Sequence, residues 1–582
     1  MFADAVQRHH LAQFGDAERL YRQVLAVNPR HADSLHMIGV IGCQTGRPDM
    51  AADMIRQAIG INAKVAAYHA NLANALYGQG QRSEAVACFR RAIAIEPGLA
   101  EIHYNMGNVL REQGHPGAAA ESYRNAIGIR PDYPEALGNL GGALHELGQP
   151  DAAAACFRKA LDLTPDCPQT LYNLGLTLRD RSRPGEAVAC YRRTIDLRPG
   201  YPEAHNALGS ALKELGQMDE AIASFRKALD LRPDYPEACN SLGVLLLEQG
   251  QPGEAAACYR RAIAIRPGYA DAHYNLALAL LAGGDMAAGW AEHEWRWKTP
   301  RGIKERRNFA QPQWRGEAGG GRTLLIHAEQ GLGDTLQFCR YAPLAAERGL
   351  RVIMEVQKPL VRLLRTLPGV DSVVERGGDL PAFDLHCPML SMPFALGTTL
   401  EAIPARIPYL RAVEGQAAAW QTRLAAMDGL GHRIGLVWAG NPLAAADRRR
   451  SMPPERLAPL FGIPGLQFFS LQKGTPAAPG EFPLASFMDG MDDFADTAAL
   501  VACLDLVISV DTAAAHLAAA LGRPVWLLDR FDACWRWLEG RSDSPWYHGL
   551  HIYRQPRPGD WDSVIAAVVH DLRSGRAFSR AQ

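Results

Sequence analysis

Along the first half of the chain, small, aromatic and apolar positions recur with a period of 34 residues. Counted from a start three residues after each proline, position eight is mostly glycine, position twenty alanine and position twenty-four aromatic. Small residues let two helices approach closely, the aromatic residue fills the space between neighbours, and proline ends the second helix. The pattern predicts helical hairpins that stack into a superhelix with an extended concave surface. The prolines that mark the period are Pro29, Pro97, Pro131, Pro165, Pro199, Pro233 and Pro267, with Ala63 in the remaining place.

This combination of period and residue sizes resembles the tetratricopeptide repeat. We expect residues 1–298 to form the superhelix, with seven clear repeats between Ala32 and about Tyr269, a partial unit before them and a degenerate one after. The degenerate unit contains Trp290, Trp295 and Trp297. We expect these tryptophans to cap the array against the next domain; ligand binding is the alternative.

A second pattern on the first helix of the repeats predicts a peptide-binding surface. Position six is asparagine in several repeats, and a carboxamide offers both a donor and an acceptor to the backbone of an extended peptide. The superhelix of protein O-GlcNAc transferases looks similar, which implies a protein or peptide acceptor in the groove; self-association through the repeats is a further option. The alternative is that duplication copied a solvated asparagine. The asparagines concerned are Asn71, Asn105, Asn139, Asn173 and Asn275.

The period stops after Trp297, and short apolar runs then alternate with helical segments. This order predicts parallel sheets covered by helices on both faces, in two tandem units with a ligand cleft at the strand ends. Neither unit carries a dinucleotide-binding glycine motif or a P-loop, which disfavours a dehydrogenase or a P-loop ATPase. The expected segments are a linker at 299–321, a first lobe at 322–412, a connector at 413–432 and a second lobe at 433–582.

Two motifs resemble glycosyltransferase family 9, the heptosyltransferase group. They are Gly331-Leu-Gly-Asp334, and the segment from Asp511 to Pro524 that begins Asp-Thr-Ala-Ala-Ala-His. The resemblance covers roughly residues 322–575 and implies a GT-B module of two Rossmann-like lobes. Repeats fused to such a module are also the plan of protein O-GlcNAc transferases. The expected fold class is therefore an α-solenoid followed by an α/β GT-B module.

The resemblance implies an acid–base role for Asp334, which follows the first strand of the first lobe. The aspartate of this Gly-Asp pair is the general base proposed for the family, and such a base must come within about 3 Å of the acceptor proton. The alternative is a helix N-cap, a role that aspartate also favours. His327, at the end of the same strand, is the second candidate for the base. The alternative is a core histidine whose hydrogen bonds are satisfied within the protein.

The resemblance also implies a site for the donor's phosphates at the helix that begins near Thr512. A helix start presents unpaired N–H groups and positive partial charge. Arg450, before Pro453, corresponds best to a family lysine that neutralises the leaving group, with a solvated charge cluster as the alternative. Relatives commonly have glycine where this chain has Ala513. The expected donor-binding residues are Arg450, Asp511, Thr512, Ala513, His516, Asn441 and Lys473.

Charge and composition narrow the class of partner. The chain of 582 residues has 61 Lys and Arg against 62 Asp and Glu, a formal net charge of −1, so no general attraction to nucleic acid is expected. No apolar run approaches the roughly 20 residues needed to cross a bilayer, and the N-terminus lacks a signal-peptide core. We expect a cytoplasmic protein that does not span a membrane. The lobes contain no D-x-D motif at a strand end, so neither a metal nor a cofactor is expected beside the nucleotide sugar.

The resemblance to glycosyltransferase family 9 implies an inverting glycosyltransferase, and the missing D-x-D motif favours one that is independent of metal. It would move a sugar from a nucleotide sugar to a hydroxyl of an acceptor, in the first place a protein held by the repeats. One alternative is transfer to a surface polysaccharide or a lipid-linked glycan. The other is a non-catalytic adaptor whose repeats assemble partners around a degenerate glycosyltransferase module.

Overall fold

A computed structural model of the protein describes residues 1–427, 431–442, 447–474, 478–576 and 578. The chain divides into two compact units, Met1–Pro233 and Asp234–Gln582. Within these described residues, no helix is both long enough and apolar enough to cross a membrane.

The first unit consists of antiparallel helical hairpins, which confirms the repeats predicted from the 34-residue period. Most second helices begin with a proline at the first helical position, where the missing N–H costs no hydrogen bond. The helices are α1 (Phe2–His10), α2 (Phe14–Val27), α3 (Ala32–Gln44), α4 (Pro48–Ile61), α5 (Ala66–Gly78), α6 (Arg82–Ile95), α7 (Ala100–Glu112), α8 (Pro116–Ile129), α9 (Pro134–Glu146), α10 (Pro150–Leu163), α11 (Pro168–Asp180), α12 (Pro184–Leu197), α13 (Pro202–Glu214) and α14 (Met218–Leu231).

Each hairpin closes through the glycine at position eight and the aromatic ring at position twenty-four. A Cβ atom placed on Gly175 in α11 would lie 2.5 Å from the ring of Tyr191 in α12, and one on Gly141 would lie 2.7 Å from Phe157. Both rings are buried. The glycine therefore makes room for the ring, as the repeat pattern predicts.

Replacing Gly175 with alanine is expected to lower the free energy of unfolding by about 1–3 kcal/mol, because the added methyl overpacks the Tyr191 ring. Helix propensity alone would change stability in the opposite direction, by about 1 kcal/mol. Gly185→Ala is the matched control, since a Cβ at Gly185 meets nothing within 4 Å. Urea denaturation followed by circular dichroism checks both variants, and equal stability of Gly175→Ala and wild type would contradict the packing argument.

The second unit begins with further repeats and a tryptophan-rich end. Its helices are α15 (Pro236–Glu248), α16 (Pro252–Ile265), α17 (Ala270–Ala282), α18 (Met286–His293) and, after a 3-10 turn at Glu294–Lys298, α19 (Pro300–Glu305). Trp290 is 1% exposed and packs edge-on against Phe338 and Trp535, at centroid distances of 5.8 and 5.3 Å. Trp295 stacks on His273 at 3.7 Å. The prediction that tryptophans cap the array against the following α/β region is confirmed for Trp290.

The rest of the second unit contains two parallel sheets. The four-stranded sheet has the order β3-β2-β1-β4, and the six-stranded sheet has the order β10-β9-β8-β5-β6-β7. The strands are β1 (Thr323–His327), β2 (Arg351–Val356), β3 (Ser372–Glu375), β4 (Leu385–Pro388), β5 (His432–Val437), β6 (Leu466–Ser470), β7 (Leu484–Ser486), β8 (Leu506–Val510), β9 (Val525–Asp529) and β10 (Leu550–Arg554). The apolar runs therefore correctly predicted an α/β region with parallel sheets.

Helices connect these strands and cover the sheets. They are α20 (Leu332–Phe338), α21 (Ala342–Glu347), α22 (Val361–Leu364), α23 (Met392–Ala395), α24 (Gln416–Ala425), α25 (Asp447–Arg450), α26 (Phe494–Val501), α27 (Ala513–Ala520) and α28 (Trp561–Arg573). Two of them directly follow strand ends near the centre of each sheet: α20 after β1 and α27 after β8. In parallel sheets this edge is where ligands bind.

Candidate functional site

The starts of α20 and α27 lie against each other. Gly333 is the second residue of α20, and a Cβ atom on it would lie 3.0 Å from Cδ2 of His516 and 3.6 Å from Cα of Ala513. Glycine at 333 thus permits the close approach of the two helices. The approach brings the Gly-Leu-Gly-Asp motif and the Asp-Thr-Ala motif to one place, although they are far apart in the sequence.

Asp334 occupies the third position of α20 and uses both oxygens. Its Oδ2 accepts a hydrogen bond from the backbone N–H of Gly331 at 3.0 Å, which caps the helix. Its Oδ1 forms an ion pair with Nη2 of Arg536. The side chain is 19% exposed. The N-cap residue itself is Gly331, so Asp334 contributes to the cap from within the first turn.

Asp334 lines a cavity of about 430 Å³. This volume is within the range of roughly 300–1,000 Å³ that is usual for small-molecule pockets. The other walls come from α17, the 3-10 turn at Glu294–Lys298, α19 and the loop between β1 and α20. The side chains that form these walls include Tyr274, Arg296, Trp297, Arg301, Glu305 and Glu329. The last repeat and its tryptophan-rich end therefore contribute directly to the surroundings of Asp334.

His327, the second choice of base, is buried elsewhere. It is 3% exposed, its ring packs edge-on against Phe309, and its Nε2 lies 3.4 Å from Nδ1 of His386. Burial, reinforced by nearby His386 and arginines, lowers the pKa of His327 to about 3. His327 does not line the cavity of Asp334. Of the two candidate bases, Asp334 lines the cavity. His327 is a neutral histidine of the core, which is the alternative raised from the sequence.

Helix α27 begins directly after Asp511 and Thr512, as the sequence motif predicts, whereas His516 is turned into the core. Thr512 is the N-cap residue, with Oγ1 3.0 Å from Oγ of Ser509, and Ala513 opens the helix. His516 is buried, stacks on Trp537 and lies 3.0 Å from the hydroxyl of Tyr547 through Nδ1. Burial lowers the pKa of His516 to about 3, so the ring is neutral at physiological pH. These contacts give His516 a packing role and do not place it as a phosphate ligand.

Arg450, the last residue of α25, reaches the start of α27. Its Nη1 donates a hydrogen bond to the backbone carbonyl of Asp511 at 3.2 Å, and its Nε donates to Asp447 at 3.1 Å. Gly440 leaves the space that the guanidinium occupies, because a Cβ there would lie 2.5 Å from Nη2. The structure therefore brings together Arg450 and Asp511, two of the residues expected to bind the donor.

Two further residues predicted to bind the donor follow the strands β5 and β6. Lys473 is exposed and its Nζ donates a hydrogen bond to the carbonyl of Met491 at 2.8 Å. Asn441 is exposed in the segment after β5. The contact of Lys473 thus ties it to the segment that precedes α26.

Arg536 is the residue of this site that the sequence analysis missed. Besides its ion pair with Asp334, its Nη1 donates a hydrogen bond to Sγ of Cys534 at 3.1 Å, and the guanidinium lies 4.3 Å above the ring of Trp535. Burial lowers the pKa of Arg536, but Asp334, Cys534 and Asp511 outweigh it and raise the pKa above its usual value. The signal available in the sequence is the Trp-Arg-Trp run at 535–537, where a cation stands between two aromatic rings. Those rings, Trp535 and Trp537, are buried in the core.

A second missed group is a buried charge network beside the cavity. Arg296 donates to both oxygens of Glu329, from Nε at 2.8 Å and from Nη2 at 3.0 Å. It also donates to Glu294 and Ser391, each at 2.7 Å. Glu329 in turn accepts a hydrogen bond from the backbone N–H of Leu390. The network ties the end of the repeats to the loop that precedes Asp334.

The asparagines of the repeats form polar contacts between neighbouring hairpins. Nδ2 of Asn71 lies 2.8 Å from His36, Nδ2 of Asn139 donates to Asn108 at 2.9 Å, and Nδ2 of Asn275 donates to Asn240 at 3.0 Å. Asn173 instead accepts a hydrogen bond from Gln169 of its own helix, α11. In the first unit, Asn105 and Asn139 line a cavity of about 510 Å³ together with Asn74, Asn108, Tyr77 and Arg111. The pattern thus marks a polar groove, and part of its hydrogen-bonding capacity is used within the array.

Across the described parts of the chain, no group of three or more His, Cys, Asp or Glu side chains is arranged to hold a metal ion.

Comparison with protein families finds repeat models over much of the first half of the chain and a glycosyltransferase model over a short segment of the second. Models described as tetratricopeptide repeat match residues 11–67, 104–168 and 172–236, and a TPR repeat model matches 73–114 and 245–284. A model described as glycosyltransferase family 9 (heptosyltransferase) matches residues 490–528, which include Asp511, Thr512, Ala513 and His516.

Individual proteins are similar to parts of the chain. Protein FlbA of Caulobacter vibrioides is 28% identical over 324 residues, which are 50% of this chain and 53% of FlbA; the chain thus spans about half the length of this curated relative. Among solved structures, the APC/C heterotetramer Cut9–Hcn1 matches 46% of this chain and 52% of its own at 18% identity and a TM-score of 0.36. YrrB, a TPR protein with an unusual peptide-binding site, matches 32% of this chain and 95% of its own at 24% identity and a TM-score of 0.28. The N-terminal region of the protein therefore consists of tetratricopeptide repeats, and its C-terminal part contains a segment that matches glycosyltransferase family 9.

Proposed function

We propose that the protein is an inverting glycosyltransferase that transfers a sugar from a nucleotide sugar to a hydroxyl of an acceptor, in the first place a protein. In this proposal the two parallel sheets belong to the two Rossmann-like lobes of a GT-B module, at 322–412 and 433–582. The observation that carries the proposal is the position of Asp334, which lines a cavity and lies beside the start of α27.

Each part of the site has a role in this reaction. The acceptor hydroxyl enters the cavity, its oxygen attacks the anomeric carbon, and Asp334 takes its proton. The bond between the anomeric carbon and the phosphate oxygen breaks, and the nucleoside diphosphate leaves. The N–H groups at the start of α27 and the guanidinium of Arg450 offset the charge that develops on the diphosphate.

The direct test is turnover of nucleotide sugars by the purified full-length protein. A thermal-shift screen first identifies the donor, because a ligand that binds the native state raises its melting temperature. Release of the nucleoside diphosphate from that donor is then measured with and without acceptor. If no donor binds or is turned over, the non-catalytic adaptor becomes the better interpretation.

The repeats supply the acceptor-binding part of the proposal. Replacing Asn105, Asn139 and Asn173 together with alanine is expected to raise the acceptor KM about tenfold or more, because each lost hydrogen bond is worth about 0.5–1.5 kcal/mol. Donor binding should stay as in wild type. Asn125→Ala is the matched control, since Asn125 is exposed on the second helix of its hairpin, α8.

The acceptor KM of the triple variant also distinguishes a peptide acceptor from a glycan acceptor. An unchanged acceptor KM in the triple variant would contradict peptide binding by these asparagines and would favour a glycan acceptor. Equal loss of donor and acceptor binding would indicate that the substitutions disturb folding.

A further inference from the structure

The carboxylate of Asp334 is occupied in the structure. Oδ2 accepts the N–H of Gly331 at 3.0 Å and Oδ1 is paired with the guanidinium of Arg536. The Gly331 contact belongs to the helix cap and persists as long as α20 is folded. The Arg536 contact instead comes from a separate segment of the chain. A base that is to receive a proton from an acceptor hydroxyl needs an oxygen directed at that hydroxyl.

Arg536 is anchored through its neighbours while its own side chain reaches into the site. Trp535 and Trp537 on either side of it are buried, so the 3-10 turn Trp535–Trp537 is fixed by the core. The Arg536 side chain is 13% exposed, and within the described residues its ion-pair partner is Asp334. Asp511, immediately before the cap of α27, also acts on its charge. The guanidinium therefore pairs with the base and is within electrostatic reach of Asp511, the residue before the N-cap of the helix expected to hold the phosphates.

We propose that Arg536 is a ligand of the donor's diphosphate that is held on Asp334 while no diphosphate is bound, so that donor binding releases the base. This inference rests on the proposed function and adds a donor ligand to it. A guanidinium binds phosphate oxygens through two parallel hydrogen bonds, and a diphosphate carries more negative charge than one carboxylate. The diphosphate therefore competes for Arg536 and leaves Oδ1 of Asp334 open to the acceptor.

The transfer step then follows in a fixed order. With the donor bound, the acceptor O–H donates to Oδ1 of Asp334. The acceptor oxygen forms its bond to the anomeric carbon as the bond to the phosphate oxygen breaks, the proton passes to Asp334, and the electron pair leaves with the diphosphate, which Arg536 contacts. Without a donor, the ion pair keeps Asp334 from acting on a hydroxyl.

A double-mutant cycle with inorganic pyrophosphate tests the exchange without knowledge of the nucleotide. Pyrophosphate affinity is measured by calorimetry for wild type, Asp334→Asn, Arg536→Met and the double variant. Asp334→Asn is expected to bind pyrophosphate about tenfold more tightly, a factor typical of coupling between sites, because it no longer competes for Arg536. Arg536→Met should bind about tenfold more weakly. In the Arg536→Met background, Asp334→Asn should have no further effect.

The cycle separates this inference from simple charge repulsion. If Asp334→Asn tightens binding equally in the presence and absence of Arg536, the aspartate merely repels the anion and the exchange is contradicted. Unchanged affinity in Arg536→Met would also overturn it. Arg541→Met is the matched control and should bind as wild type, since Arg541 pairs with Asp543 on the surface. Circular dichroism melts of all variants show whether a change in affinity comes from unfolding.

The proposed function and the exchange can fail independently. If the purified protein turns over a nucleotide sugar but the cycle shows no coupling between Asp334 and Arg536, the exchange alone is wrong. If the cycle shows the expected coupling but no nucleotide sugar is turned over, the anion site remains and the transferase proposal is wrong. Arg536→Lys, which retains the charge but not the paired donors, should recover part of the pyrophosphate affinity.

Discussion

Replacing Asp334 with asparagine is expected to lower kcat of sugar transfer by about 100- to 10,000-fold, the range that a positioned general base contributes. Asparagine keeps the size of the side chain and can still accept the N–H of Gly331, so α20 keeps its cap. It cannot take the proton of the acceptor hydroxyl. The loss should therefore appear in kcat. Donor binding should not weaken, and the exchange at Arg536 proposed above predicts that it becomes tighter.

The measurement is the initial rate of nucleoside diphosphate release in the presence of acceptor. Asp489→Asn serves as the control, because Asp489 is exposed and lies outside the cavity of Asp334. A rate for Asp334→Asn close to that of wild type would remove Asp334 from the mechanism. It would leave the start of α27 and Arg450 as a binding site without an assigned base.

The second large effect is expected at Arg296. Its replacement by methionine leaves Glu329 and Glu294 without their buried cation, and breaking a buried pair in this way costs about 3–5 kcal/mol. Glu329 belongs to the loop that leads to Asp334, so transfer activity should fall together with stability. Chemical denaturation of the full chain measures the first effect, and the transfer assay measures the second.

A compensating variant distinguishes lost charge pairing from lost packing. Arg296→Met combined with Glu329→Gln removes the uncompensated charge on the principal partner, and stability should recover in part. If the single and the double variant are equally unstable, the stem of the arginine contributes more than its charge. If Arg296→Met is as stable as wild type, the network does not join the repeats to the following α/β region in the way described.

Much of the fold could be predicted from the sequence because its determinants are local. The contact between Gly175 and Tyr191 joins the two helices of one hairpin, and the same pair of residue types recurs in neighbouring repeats. The end of strand β1 at His327 was predicted correctly, because a short apolar run followed by glycines leaves few alternatives. The two motifs at Asp334 and Asp511 could be found as strand-to-helix turns for the same reason.

The arrangement of the site depended on contacts that leave no pattern in the sequence. Arg536 and Asp334 lie about 200 positions apart, and their pairing follows from the way two separate turns pack, not from any spacing. His516 and His327 stood beside motif residues in the sequence, yet both face the interior and are kept neutral by burial.

The amino-acid sequence is sufficient to predict the repeats, the parallel α/β region and the two turns that carry Asp334 and the start of α27. These features depend on residue size, helix ends and the alternation of apolar runs, all of which act over a few turns of chain. The folded chain is needed to see that Arg536 pairs with Asp334 and that Arg296 and Tyr274 border the same cavity. The reason is physical: a buried charge takes its partner from whatever segment packs next to it, and that neighbour is fixed only when the whole core has formed.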